Sequence, residues 1–331
     1  MKHFFAIVFI VFFNSSFSQE LFPNTEPAST MPKGVLGIRA ILEDYKEFSQ
    51  SRNQFSLRLM YGITSRWSFY AQPMVSNHHG DLLPLGFLTH THVGNSTIFN
   101  AANIYGLQYP YTFSGIYFYS KYRLLNFDGD DRHFRVSVYG EYAYSKVAHD
   151  EAEPDLQGDN GGYGAGVILT GLKGRLAVSF TGGFIIPNSY SESRTEPYYG
   201  SYIFQTSLNY GNAIKYDLSF GYLLYPSKYE SYDQSNINTY MEFIGRSYGA
   251  ASVTQNGEKA EIKSPALQAG NYVEVRPGIQ KIFNSNARLD LSVGLNLINR
   301  SWSHFTPLFM IGWQRYFFSL PKKTSRRPII E

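Results

Sequence analysis

The sequence predicts an all-β chain: a transmembrane, antiparallel, up-and-down β-barrel of 12–14 strands behind a cleaved signal peptide. Three observations carry this. First, segments of about ten residues alternate strictly, as in Arg175 to Ile186, where Leu176, Val178, Phe180, Phe184 and Ile186 share one parity and Arg175, Ala177, Ser179 and Thr181 the other. Successive side chains of a strand point to opposite faces, so one face is apolar and the other small or polar. Second, aromatic residues make up 17% of the 331-residue chain and charged residues only 17%, against roughly 25% charged in ordinary soluble domains. Third, the chain starts with an export-type segment and contains no cysteine.

The export segment has a short basic start, Lys2-His3, ten apolar residues from Phe4 to Phe13, and small residues in Ser16-Phe17-Ser18. That is the layout of a Sec signal read by a signal peptidase, and ten apolar residues are too few for a spanning helix, which needs roughly 20. Processing is expected near Gln19. The absence of cysteine excludes a lipoprotein anchor, disulfides and thiolate metal sites. Overall hydrophobic content is 43%, with a mean hydropathy of −0.26. Values like these hide a barrel, because each strand dilutes its apolar residues with polar ones. The net charge of +3 is too small to argue for nucleic acid as a partner.

The expected organisation is a signal peptide over 1–18, a periplasmic leader or plug over 19–33, the barrel over 34–318 and a basic periplasmic tail over 319–331. The leader holds three prolines and no periodicity. Strand-like segments follow at 34–42, 54–63, 67–76, 114–125, 134–145, 161–171, 175–186, 201–211, 215–225, 237–247, 270–283, 287–298 and 305–318. Thr64-Ser65-Arg66, Lys173-Gly174, Gly211 to Ile214 and Asn284 to Ala287 read as tight inner turns, with Asn126 to His133 the longest of that kind. The stretches 43–53, 77–113, 146–160, 187–200 and 226–236 read as outer loops. Both ends of the barrel are expected in the periplasm, so the strand number should be even, yet thirteen segments are found. The difficulty lies at 247–269, which Gly257 and Pro265 interrupt: if Ala251 to Lys263 is a poor strand, the barrel has fourteen; if one segment is a loop, it has twelve.

Alternation also sorts the faces. Leu57, Leu59, Phe69, Phe118, Val136, Val138, Phe180, Leu218, Phe220, Leu291, Val293, Leu295, Phe309 and Ile311 are expected to meet lipid. Arg39, Arg58, Lys121, Arg123, Arg135, Glu141, Arg175, Asp217, Glu242, Arg246, Glu274, Arg276, Arg288 and Asp290 are expected to line the lumen, because a lipid-facing Arg or Lys near the midplane costs about 2–4 kcal/mol. Nine of these are basic and five acidic. They either pair across strands into a sealed interior or leave a narrow aqueous path with a mild anion preference.

Two further groups carry potential chemistry. His78, His79, Asp81, His90 and His92 cluster in the longest loop, and imidazole with carboxylate is a common ligand set for zinc or copper; a solvated polar loop is the plainer reading. His149-Asp150-Glu151 with Glu153, Asp155 and Asp159 lacks the oxygen spacing of a calcium loop. Ser301-Trp302-Ser303-His304 contains a nucleophile and a base type but no indicated orienting partner. No enzyme activity and no cofactor are expected.

The strand–turn–strand from Leu57 to Tyr70, with Tyr61-Gly62-Ile63-Thr64 before its polar turn, resembles outer-membrane transporters grouped with phenol-degradation pathway proteins. Thr25-Glu26-Pro27-Ala28-Ser29, Lys121-Tyr122-Arg123-Leu124 and Gly158 to Gly164 are similar to an uncharacterised set of exported barrels. Gly312 to Phe318 resembles the assembly signal of outer-membrane proteins, with a basic tail where a terminal aromatic is usual. The resemblance implies a barrel and names no substrate. The expectation is therefore an outer-membrane barrel exported through the Sec pathway, acting as a passive channel or facilitator for a small solute. Its partners would be lipid, lipopolysaccharide, the barrel-assembly machinery and that solute. The alternative is a sealed structural or surface-binding barrel whose loop 77–113 binds a metal or a partner.

Overall fold

The computed structural model describes residues 22–47, 50–84, 86–88, 109–129, 132–195, 203–227 and 234–318. The expected signal peptide and the basic tail 319–331 lie outside these, as do His90 and His92. Twelve strands close a barrel: β1 (Leu36–Glu47), β2 (Gln50–Gly62), β3 (Trp67–Ser76), β4 (Thr112–Asp128), β5 (Arg132–Ser145), β6 (Gly162–Lys173), β7 (Leu176–Pro187), β10 (Ala213–Tyr225), β11 (Asn236–Tyr248), β14 (Gly270–Phe283), β15 (Ala287–Asn299) and β16 (Leu308–Phe317). Each pairs antiparallel with its chain neighbours in the wall, and β16 returns to β1, with Leu36 opposite Phe317 and Tyr45 opposite Leu308. Closure removes both sheet edges, so every strand hydrogen-bonds on two sides, as a lipid environment requires.

Four further strands stand apart: β8 (Tyr190–Thr195), β9 (Ile203–Asn209), β12 (Ser252–Gln255) and β13 (Glu258–Lys259) form a small sheet in the order β13-β12-β9-β8. This resolves the strand count. Within the segment expected at 201–211, Ile203–Asn209 is a strand, but it belongs to this sheet, and so do Ser252–Gln255 and Glu258–Lys259 within Ala251 to Lys263. Gly257 does not break a wall strand; Asn256 and Gly257, both at positive φ (51° and 86°), make the two-residue turn between β12 and β13. Asn-Gly suits such a turn because both positions need the left-handed region.

Placing 201–211 in the wall also inverted the connections around it. Gly211 to Ile214 lies at the loop end, joining β9 to β10, whereas 226–235 joins β10 to β11 at the end of the short turns. At the turn end β2 passes to β3, β4 to β5, β6 to β7, β10 to β11 and β14 to β15; the loop end carries the long insertions, including both halves of the small sheet. β1 runs to Glu47 and β2 starts at Gln50, so 43–47 and 50–53 of the long loop expected over 43–53 are strand.

The faces follow the alternation. Leu57, Leu59, Phe69, Phe180, Leu218, Phe220, Leu291, Leu295, Phe309 and Ile311 are exposed on the outer wall, and Phe118, Val136, Val138 and Val293 are half-buried there. The opposite parity, such as Ala177, Ser179 and Thr181 of β7, is buried. Those inner residues are covered by the chain itself. Residues 22–35 reverse at a turn, Val35 N–H to Pro32 carbonyl (3.1 Å), with Gly34 at φ 76° where a side chain would be strained. From there they run into the lumen, where Met31, Ala28 and Phe22 are fully buried. The apolar core continues to the loop end, where Leu83, Phe87, Ala148, Ala152, Leu156, Leu208, Val253 and Leu267 join the same cluster as Ala28 and Met31.

Candidate functional site: the charged lumen

The lumen is a stack of charge clusters positioned by strand parity. Near the turn end, Glu26 of the inner segment accepts from Arg58 Nη1 (2.8 Å) and Lys121 Nζ (3.0 Å), and Lys121 also donates to the Pro27 carbonyl (2.7 Å). Arg58 continues to Gln72 (2.6 Å) and to Gln157 of the 146–161 loop (3.1 Å), so one guanidinium joins wall, segment and loop. Burial would push the Glu26 carboxyl up, but Lys121 and Arg58 hold it below the ordinary carboxylate value. The segment's backbone is held by further wall side chains. Thr25 N–H donates to Glu242 (2.8 Å), Ala28 N–H donates to Thr170 (2.8 Å), and Ser137 donates to the Ala28 carbonyl (2.6 Å).

The other clusters are also internally matched. Asp290 lies between Arg39 (3.3 Å) and Arg288 (3.2 Å) and accepts from Gln280 (2.8 Å). Arg276 bridges Glu274 (2.9 Å) and Glu43 (3.5 Å). Arg246 donates to the Pro154 carbonyl (2.7 Å) and approaches Asp155 (3.5 Å), while Asp217 pairs with Lys215 (3.9 Å). Glu141 accepts from Tyr117 (2.6 Å), and Arg135 pairs with Asp128 (3.3 Å) and donates to Ser29 (3.0 Å).

Two of the fourteen residues expected in the lumen are elsewhere. Arg123 donates to the Ser65 carbonyl (2.9 Å), and Arg175 to the carbonyls of Leu223 (2.8 Å) and Leu224 (2.6 Å). Both sit at the turn-end rim, where strand carbonyls lose their wall partners and a guanidinium replaces them. The nine-to-five excess of bases is thus not an open ring of arginines. It is offset by Glu26, Glu43, Asp128 and Asp155, which sequence reasoning did not count. Glu43 was within reach, since it shares parity with Arg39 beyond the expected end of β1. Glu26 and Asp155 sit in aperiodic segments, where parity says nothing.

Between Pro23-Asn24 of the segment and the loop residues Glu151 to Asp159 lies a cavity of about 170 Å³. Its wall includes Glu43, Tyr45, Asp217, Arg246, Tyr272 and Arg276. His304 stands at its edge with Nδ1 3.1 Å from Glu153 and Nε2 3.4 Å from Glu274. Burial disfavours the charged imidazole, but the two carboxylates outweigh it and raise its pKa to about 9. The same contact holds Glu153 below the usual carboxylate range, against the effect of burial. Glu153 thus supplies the acid that the Ser301-to-His304 sequence lacked, but not a catalytic relay. Ser301 donates to Glu153 itself (2.9 Å), and the imidazole Nε2 faces Glu274. An imidazolium between two carboxylates has no lone pair with which to activate a serine at neutral pH.

The histidine expectation is corrected in the same way. Asp81 is exposed and pairs with Lys146 (3.6 Å), away from the histidines. His78 and His79 instead converge on Asp159, from the 146–161 loop, each at 3.4 Å, with the ligating atoms of all three within 4.8 Å of one another. Burial pushes the Asp159 carboxyl up, but the neighbouring His79 and His78 hold it well below its ordinary value. Burial works against protonated His79, whose pKa is nonetheless raised by Asp159. His149 was absent from the expected ligand set because only the fold brings its loop over residues 78–79.

No protein-family model matches the chain, and no curated protein matches it. Among solved structures it is similar to an outer membrane channel from Pseudomonas putida F1, with a TM-score of 0.51 and 12% identity over 90% of this chain and 100% of that one. It is also similar to the NanC porin (TM-score 0.41, 8% identity, 86% of this chain and 100% of that one). A third is the KdgM porin (TM-score 0.37, 7% identity, 86% of this chain and 99% of that one). The likeness to the first is one of fold: this chain is built as an outer-membrane β-barrel.

Proposed function

We propose that this chain is a passive outer-membrane channel for a small solute, exported by the Sec pathway and gated by its own residues 22–35. One observation carries the reading. The inner segment is bound to the lumen by side-chain hydrogen bonds and ion pairs centred on Glu26, and it is not a paired strand of the wall. It can therefore leave without opening the barrel, whose twelve-strand ladder is complete without it. The cavity above it is lined mainly by polar groups, which suits a hydrated solute more than an apolar one. The resemblance of Leu57 to Tyr70 to outer-membrane transporters agrees with this and leaves the solute open.

The test is planar-bilayer conductance of the purified full chain beside its Glu26→Ala variant. Removing Glu26 strands Arg58 and Lys121 without their shared partner, a change that costs about 3–5 kcal/mol when a buried pair is broken. Wild-type openings are expected to be brief and the variant's longer or more frequent. Silence of both proteins, with correct heat-modifiable migration on gels, would mean a sealed barrel.

A further inference from the structure

We propose that His78, His79 and Asp159, closed by His149, form a binding site for a divalent transition-metal cation of the zinc type at the loop end of the barrel. The three ligating atoms are His78 Nδ1, His79 Nε2 and Asp159 Oδ1, and both nitrogens stand 3.4 Å from that one oxygen. A tetrahedral ion with ligands at about 2.0–2.1 Å sets its ligands roughly 3.3–3.4 Å apart. The oxygen is buried and makes no contact closer than these two, which leaves it facing both nitrogens at once. Adjacent histidines present different ring nitrogens to the same point, a convergence that a solvated loop does not require.

His149 is the independent observation. It is 2% exposed, and neither of its ring nitrogens makes a hydrogen bond. Its Nε2 is turned toward Glu151 (3.4 Å) and the second oxygen of Asp159 (4.0 Å). Leaving a buried imidazole in this condition is unfavourable, and a metal bond would offset that cost. It borders the group of three, with its Nε2 4.0 Å from Asp159, and its ring must turn for that nitrogen to become the fourth ligand.

The surroundings are those of a metal ligand set. Asp150 lies 3.7 Å from the other nitrogen of His79, as the outer carboxylate does in a carboxylate–histidine–metal arrangement. Tyr45 packs edge-on to His78 at 4.8 Å, and His79 packs edge-on to His149 at 4.8 Å, so the rings are oriented before any ion arrives; the Tyr45 hydroxyl, 3.5 Å from His78 Nδ1, would yield that nitrogen to the ion. Nitrogen-rich ligation selects zinc-type ions over calcium, which takes six to eight oxygens. This site stands whether or not the barrel conducts.

The probe is Co²⁺ alone, titrated into the refolded full chain and followed by its visible absorption, then competed with Zn²⁺. One Co²⁺ per barrel with the intense bands of tetrahedral coordination is expected, displaced by Zn²⁺. His79→Ala and Asp159→Asn should each weaken binding by at least about tenfold, while His133→Ala, at an exposed pair with Asp128, should not change it. Because a variant can fail to fold, wild-type protein is also carbethoxylated with and without Zn²⁺; the ion should protect His78 and His79 and leave His133 reactive. Unsaturable binding at millimolar Co²⁺, a six-coordinate spectrum, or no protection would each overturn the assignment.

Discussion

The ring of Tyr240, on β11, crosses its direct cross-strand partner Gly278, on β14, and donates its hydroxyl to the Leu291 carbonyl of β15 (2.9 Å). One side chain thereby ties three consecutive wall strands from within. It can do so only because position 278 has no Cβ; one placed there would overlap the tyrosine ring. Tyr139 repeats the device on the far wall, lying over Gly166 and Gly183 of the next two strands.

Gly278→Ala is therefore expected to destabilise the barrel by about 1–3 kcal/mol, the usual cost of overpacking a filled interior. Gly140→Ala is the control, since a Cβ there has open space around it. Urea midpoints of the heat-modifiable band measure both. Equal midpoints for the two variants would mean that Tyr240 can move aside without loss.

The outer wall makes a separate claim. Phe180→Arg and Leu291→Arg each put a charge on an exposed apolar face at about 2–4 kcal/mol near the midplane, so folded, membrane-inserted protein should fall. Ser179→Arg points the other way. Ser179 bonds Thr170 (2.8 Å), which in turn receives the Ala28 N–H, so an arginine there should expel the inner segment and raise conductance while assembly persists. Membrane fractionation and bilayer recording separate these outcomes.

The wall was legible in the sequence because lipid on one side and polar contact on the other impose a period of two on every strand. That rule sorted Phe180 from Ser179 with no structure at hand. It cannot tell a wall strand from an equally well alternating strand in a loop, so 201–211 reads as part of the barrel and the connections beside it come out reversed. Nor does parity reach the segments without a period. Glu26, His149, Asp155 and Asp159 owe their positions to how aperiodic chain folds into the lumen, and the sequence around them looks merely polar. Ser301 and His304 were visible as chemical types, but the carboxylates that decide their state, Glu153 and Glu274, come from a distant loop and another strand.

His304 gives a pH dependence with a definite sign. Its pKa rises from 6.5 to about 9 on folding through Glu153 and Glu274. The folded state binds the proton more tightly than the unfolded state, so the stabilisation is complete below about pH 6.5, declines above it and is lost by pH 9. A shift of this size corresponds to roughly 3 kcal/mol. The loop-end structure around Trp302 should loosen over that window, which its fluorescence would report. His304→Gln should remove the dependence; a wild-type protein equally stable at pH 6 and pH 9.5 would rule out the carboxylate clamp.

Selectivity follows from the same cavity. The nine-to-five excess of bases predicted an anion preference, but the lining of the cavity holds six carboxylates, Glu43, Glu151, Glu153, Asp155, Asp159 and Asp217, and four fixed cations, Arg58, Lys215, Arg246 and Arg276. His304, charged at neutral pH, offsets part of this excess of carboxylates, and burial together with Asp150 favours the neutral form of Glu151. Any preference between K⁺ and Cl⁻ should accordingly be weak at pH 7. Above pH 9, with His304 neutral, the lining is more negative and a cation preference should strengthen, since a low-dielectric tube focuses the field of its wall charges. The preference should fade in 1 M salt, where the Debye length is about 3 Å. Reversal potentials under a KCl gradient at the two pH values measure this, and a strong anion preference at pH 7 would mean that permeant ions bypass the cavity and follow the arginines of the rim.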